Sequence, residues 1–141
     1  MNILRASINM ACINAEGYTF NVEGHNFPVM HEFINKVVGF YRDKAYMVAE
    51  RGRSLGVYAN YCIDDISEKS LIKKETKLLV DPRDIISTMW EQFTKLTDLA
   101  DKYFFAAHAA KDSGSIGFLS MIKKDFDHFV WEFDVMKKEF K

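Results

Sequence analysis

An all-α fold, a four-helix bundle with one short extra helix in the loop between its second and third long helices, is what this sequence predicts. Three observations carry the prediction. Apolar residues recur at steps of three and four in four long blocks, the spacing that gathers them on one face of a helix. Both prolines, Pro28 and Pro82, stand at helix-start signals rather than inside a block. No low-complexity linker and no internal repeat divides the chain, so residues 1–141 read as one domain, with 48% hydrophobic and 14% aromatic residues to fill a core.

The first helix is expected from residue 3 to about residue 22, with Ile3, Ala6, Met10, Ile13 and Phe20 as a loose inward stripe that Gly17 weakens. The second begins where Asn26 can cap exposed amides and Pro28 lacks only a donor that a first turn leaves unpaired anyway. Met30, Ile34, Val37, Tyr41, Ala45 and Val48 form its face, and Gly56 stops it. Over residues 57–80 the cluster Val57-Tyr58, Tyr61-Cys62-Ile63 and Ile66 predicts a short helix, followed by a loop carrying the charged run KSLIKKETK. That segment is long enough to cross the bundle from end to end, which sets the second and third long helices parallel.

Asp81-Pro82-Arg83-Asp84 is the clearest start in the chain: an acidic cap, proline at the first helical position and a carboxylate three residues on. Ile86, Met89, Phe93, Leu96, Ala100, Tyr103 and Ala107 then form one continuous face, ended by Asp112-Ser113-Gly114. Ser115 is placed to cap the last helix, whose stripe is Leu119, Ile122, Phe126, Phe129, Phe133, Met136 and Phe140.

Charge and cysteine content exclude several classes of function. A formal net charge of -1 supplies no global field to draw the chain onto nucleic acid or an anionic membrane. Cys12 and Cys62 share no metal or redox spacing and read as two buried thiols in a reducing compartment. The opening residues are too polar for a signal peptide and no stretch is long enough for a membrane span, so a soluble, cytoplasmic protein is expected. No glycine-rich phosphate loop occurs, and no serine or cysteine nucleophile stands beside a recognisable base. His25 reads as an exposed turn residue and His108 as a satisfied interhelical histidine. Asp125 and His128 stand at i, i+3 but lack the second such pair that a metal site in a bundle core would use. The aromatic residues of the last two long helices read as core and oligomer interface.

Two stretches, TFNVEGHNFPVMHEF and YRDKAYMVAERGRSLG, resemble the mini-ferritins known as DNA-binding proteins from starved cells (Dps). The residues that carry the likeness are Phe20-Asn21-Val22, Gly24, Phe27, Met30-His31 and Phe33, then Ala49-Glu50-Arg51 and Leu55-Gly56. LADKYFFAAHAAKDSGS resembles the end of the family's third long helix, and KKDFDHFVWEFD its last helix, with Trp131 at the expected tryptophan. The resemblance implies a ferritin-like bundle whose iron-oxidising centre forms across a dimer interface, and a shell of twelve subunits. Helix geometry accords with a shared site. His31 and Glu50, 19 residues apart on one helix, are separated by roughly 28 Å along its axis and cannot hold one metal within a single chain. Two antiparallel copies of the second helix, related by a two-fold axis, would bring them together.

Carried over one at a time, the family's metal ligands fall on Thr19, His31, Asn35, Tyr46 and Glu50, so only His31 and Glu50 keep a ligating side chain. A ferrous centre needs several imidazole and carboxylate donors at once; Thr19 and Asn35 are neutral weak donors, and the phenol of Tyr46 is protonated near pH 7. The turn that helps line the family's acidic iron pores retains Asp112, while Gly117 stands at the second acid's place. DNA binding through a basic tail is not supported, because the chain starts MNILR and its closing KKEFK reads as a solvated helix end.

The expectation is therefore a Dps-like oligomer, dimeric through the second helix and extending to a twelve-subunit shell, with a degenerate ferroxidase site. It would serve as a binding or scaffolding protein for a macromolecule the sequence does not identify. Iron is the sole cofactor in prospect, held weakly or not at all. The alternative is a working mini-ferritin that oxidises and stores iron and protects DNA, using His31 and Glu50 with Tyr46, Glu23 or Asp43 as substitutes. Nucleoid compaction is a third, weaker reading.

Overall fold

The structure, a computed structural model, describes residues 1–24 and 26–140. Its elements are α1 (Asn2–Asn21), α2 (Phe27–Ser54), α3 (Ile63–Lys69), α4 (Pro82–Ala109) and α5 (Ser113–Lys137), followed by a 3-10 turn, Lys138–Phe140. The fold is all-α, with four long helices and a short one in the crossover between α2 and α4. The readings of His25 and of Lys141 in the closing KKEFK lie outside the described residues.

The expected faces of α2 and α4 are the observed ones. Met30, Ile34, Val37, Tyr41, Ala45 and Val48 are all buried, as are Ile86, Met89, Phe93, Leu96 and Ala100. Asp81 caps α4 by accepting from the Arg83 amide at 2.9 Å, and Pro82 takes the first helical position. The stop after α2 is a Schellman turn: the Val57 amide donates to the Gly52 carbonyl and the Gly56 amide to that of Arg53. Gly56 adopts φ +85 there, a backbone conformation glycine enters without strain.

Four helix details differ from the sequence reading. In α1 Ala6 and Met10 are buried as expected, together with Leu4, Ile8, Ala11, Ala15 and Tyr18, whereas Ile3, Ile13 and Phe20 stand 41%, 55% and 76% exposed. Apolar residues occupy both sides of α1, and the side that wins is the one also carrying Ser7 and Asn14, whose polar atoms the crossover satisfies. Asn26 occupies the cap position of α2 without a side-chain capping bond, because its backbone is not in the extended conformation a cap requires. At α5 the cap is Asp112 rather than Ser115; the carboxylate accepts from the Ser115 amide, and Ser115 lies inside the first turn. The same helix stops at Lys137, leaving Phe140 half-buried in the 3-10 turn.

The crossover runs the length of α1, fastened at successive levels. Asn2 donates to the Tyr58 carbonyl, Ser7 accepts from the Leu71 amide, Asn14 bonds both the Lys73 carbonyl and the Glu75 amide, and Tyr18 donates to Glu75. The Glu23 amide then meets the Val80 carbonyl, beside the start of α4. The chain thus crosses from one end of the bundle to the other, and α2 and α4 run parallel: Gly24 lies against Pro82 and, further along both helices, Tyr41 stacks on Phe93.

Phe93 lies at the centre of the core. Its ring is 5.0 Å from Tyr41, 5.1 Å from Phe129, 5.5 Å from Phe133 and 6.1 Å from Phe126, so α2, α4 and α5 are joined by one aromatic cluster. Cys12 is buried, with its thiol pushed up to about 11 chiefly by desolvation and then by the Glu16 carboxylate. Cys62 is exposed at the start of α3, contrary to the expectation of two buried thiols.

Candidate functional site

The five positions singled out in the sequence lie on α1 and α2. Thr19 is in the last turn and a half of α1; His31, Asn35, Tyr46 and Glu50 lie on α2. At about 100° per residue, those four fall within an arc of about 100° beside the buried stripe of α2. His31 is half-buried, Asn35 and Glu50 are exposed, and Tyr46 is 68% exposed.

Thr19 and His31 meet through the backbone. Nδ1 of His31 lies 2.8 Å from the Thr19 carbonyl oxygen, and its ring stacks on Phe27 with centroids 5.1 Å apart. Since a carbonyl only accepts, Nδ1 carries the proton of this bond, and the lone pair of neutral His31 is on Nε2. Histidines that bind metals are commonly oriented by such a bond. The Thr19 side chain offers nothing comparable: the residue is 3% exposed, and its hydroxyl oxygen is buried without a hydrogen-bond partner.

Among the described residues, no group of three or more His, Cys, Asp or Glu side chains is placed to hold a metal ion. Asp125 instead pairs with Lys44 at 2.6 Å, and His128 with Glu132 at 2.6 Å. His108 is exposed on α4 rather than lodged between helices. Glu23 and Asp43 are exposed as well.

Residues 8–141 match the sequence model of the ferritin-like domain. The chain belongs to the ferritin-like family. A protein of Haemophilus influenzae is 25% identical over 133 residues, covering 94% of this chain and 82% of its own length. Two solved structures share the fold of this ferritin-like chain. The Dps protein of Vibrio cholerae O1, described as a member of a broad superfamily of ferritin-like diiron-carboxylate proteins, superposes with a TM-score of 0.92 at 21% identity, over 96% of this chain and 84% of that one. Antigen TpF1 of Treponema pallidum gives 0.94 at 18% identity, over 97% and 88%. The Dps-like resemblance thus holds at the level of the fold.

In this ferritin-like chain Asp112 has a definite structural setting. Its carboxylate caps α5, accepts from the Ser115 hydroxyl, and lies 3.1 Å from Nη2 of Arg51 at the end of α2. Arg51 also donates from Nε and Nη2 to the Ser115 hydroxyl, at 3.2 and 2.9 Å. The Ser115 hydroxyl and amide and, after them, the Arg51 guanidinium hold the Asp112 carboxyl below the usual carboxylate range. A side chain on Gly114 would come within 2.8 Å of the guanidinium, so glycine accommodates the approach. Arg51 belongs to the Ala49-Glu50-Arg51 motif, but 61 residues separate it from Asp112, so no local pattern pairs the two.

Apolar side chains stand uncovered on α1, on α2 and at the crossover. Ile13, Phe20, Phe27 and Tyr46 are 40–76% exposed on α1 and α2, and Tyr58, Tyr61 and Ile63 are 79–88% exposed at the crossover. No helix among the described residues is long and apolar enough to cross a membrane.

Proposed function

We propose that this chain is one Dps-type domain that assembles with copies of itself, first as a dimer through α2 and then as a shell of up to twelve subunits, and that its inter-subunit ferroxidase centre is degenerate. The observation that carries the reading is Thr19. Where the Dps pattern calls for an imidazole beside His31, this chain has a hydroxyl shut inside the protein, and Asn35 and Tyr46 replace two carboxylates. His31 and Glu50 of opposing chains would supply two strong donors, too few to draw ferrous iron out of its hydration shell as a multidentate set does. Asp112 fits the same account: its charge is matched by Arg51, which leaves less attraction for cations at a pore.

The uncovered apolar surface supports self-association. Exposed patches of this kind mark interaction sites, and Ile13 and Phe20 are among the residues whose spacing first suggested core. The function is then binding or scaffolding of another macromolecule in the cytoplasm, with little iron oxidation and weak or no DNA binding. Aerobic ferrous oxidation followed by absorbance, with a His31→Ala/Glu50→Ala double variant as control, tests it.

One observation favours the second reading, a working mini-ferritin. The Nδ1 bond of His31 orients an Nε2 lone pair for a metal, and Glu50 with Tyr46, Glu23 or Asp43 would complete the set. Rapid oxidation lost in the double variant would establish that reading instead.

A further inference from the structure

Away from the α2 face, the crossover and α4 enclose a groove of about 270 Å³ lined by Lys73, Lys74, Thr76, Thr88, Gln92 and Lys95, with Glu75 and Glu91 also at its wall. We propose that this groove binds a compact tetrahedral dianion of the phosphate type. Lys73, Lys74 and Lys95 have no ion-pair partner among the described residues. The loop that carries Lys73 and Lys74 is fixed, because buried Asn14 bonds the Lys73 carbonyl at 2.9 Å and the Glu75 amide at 2.9 Å. Ammonium groups on an anchored main chain lose less freedom on binding than those on a mobile one.

The carboxylate in the middle of this lysine run makes no ion pair with them among the described residues. One oxygen of Glu75 accepts from the Tyr18 hydroxyl at 2.7 Å, and the other from the Thr76 and Lys77 amides at 3.2 and 3.3 Å. Because Tyr18 spends its single proton on Glu75, its oxygen accepts from Gln92 Nε2 at 3.4 Å. The chain Gln92–Tyr18–Glu75 therefore holds an acid in place by hydrogen bonds that do not use a lysine. Glu75 and Glu91 are two carboxylates at the wall against three ammonium groups, Lys73, Lys74 and Lys95, so the lining keeps a net positive charge. Thr76 and Thr88 add hydroxyl donors of the sort that complete oxyanion sites. Tyr18 is a positioning residue in this account, since it acts only through Glu75.

The test is equilibrium dialysis of the full chain against radiolabelled inorganic phosphate at pH 7 and low ionic strength. Saturable binding near one phosphate per chain is expected. Lys73→Gln/Lys95→Gln, at exposed positions, should weaken it about tenfold while leaving helical content by circular dichroism unchanged. Tyr18→Phe should weaken it about threefold by releasing Glu75 towards the lysines, and should have no such effect in a Glu75→Gln background. Absence of saturable binding up to millimolar phosphate would overturn the proposal, as would binding indifferent to the two lysines. So would an oligonucleotide that binds through these lysines when free phosphate does not, because the contact would then be a polymer surface and not this groove.

Discussion

Nδ1 of His31 lies 2.8 Å from the carbonyl oxygen of Thr19, so the end of α1 orients the imidazole of α2. In the proposed reading this bond prepares His31 as one donor of an inter-subunit site in which Glu50 is the other and Thr19, Asn35 and Tyr46 stand at the remaining ligand positions. Rebuilding those remaining positions should restore chemistry. A Thr19→His/Asn35→Asp/Tyr46→Asp variant should oxidise ferrous iron at least about tenfold faster than the natural chain, since affinity and rate both rise with the number of anionic and imidazole donors. Stopped-flow absorbance measures it, and an unchanged rate in a folded variant would contradict the ligand assignment.

Self-association should depend on the outward side of α1. Ile13 and Phe20 are 55% and 76% exposed in the single chain, so Ile13→Glu/Phe20→Glu leaves the core intact while placing charges in the proposed interface. Native mass spectrometry should show oligomers for the natural chain and monomers for the variant, with helical content retained. Monomers for both would remove the interface.

Acid stability should report on Asp112. Its folded carboxyl titrates below the unfolded value of about 3.9. The stabilisation it brings is therefore complete above that value and is lost as pH falls through the folded one. Asp112→Asn should lower the urea midpoint at pH 6 and narrow the difference between pH 6 and pH 3. A variant with the wild-type pH response would show that the Arg51–Asp112–Ser115 cluster contributes nothing to folding.

Phe93 is fully buried and touches rings from α2 and α5. Phe93→Ala should cost about 3–5 kcal/mol, the usual range for removing a buried aromatic ring, and Phe93→Leu about half of that. Urea denaturation distinguishes them; equal losses would mean that the cluster does not act through packing.

How much of this was legible in the sequence depended on how local the cause was. The Asp81-Pro82 start and the stripe from Met30 to Val48 act within a few residues, and the fold bears both out. Of the α1 stripe only Ala6 and Met10 turn inward, because apolar residues occupy two sides of that helix and Ser7 and Asn14 bond a crossover more than 50 residues away. At α5 two capping residues, Asp112 and Ser115, compete; Asp112 takes the cap by accepting from the Ser115 amide and hydroxyl, and Arg51 from the end of α2 bonds both. Of the candidate site, residue identities and helical register could be read directly. The burial of the Thr19 hydroxyl and the bond from His31 to its carbonyl could not, because both depend on how α1 and α2 pack.

The most direct test is aerobic oxidation of ferrous iron by the assembled protein beside buffer alone and beside His31→Ala/Glu50→Ala. The account predicts a natural-chain rate indistinguishable from both. A fast rate that the double substitution abolishes would contradict it.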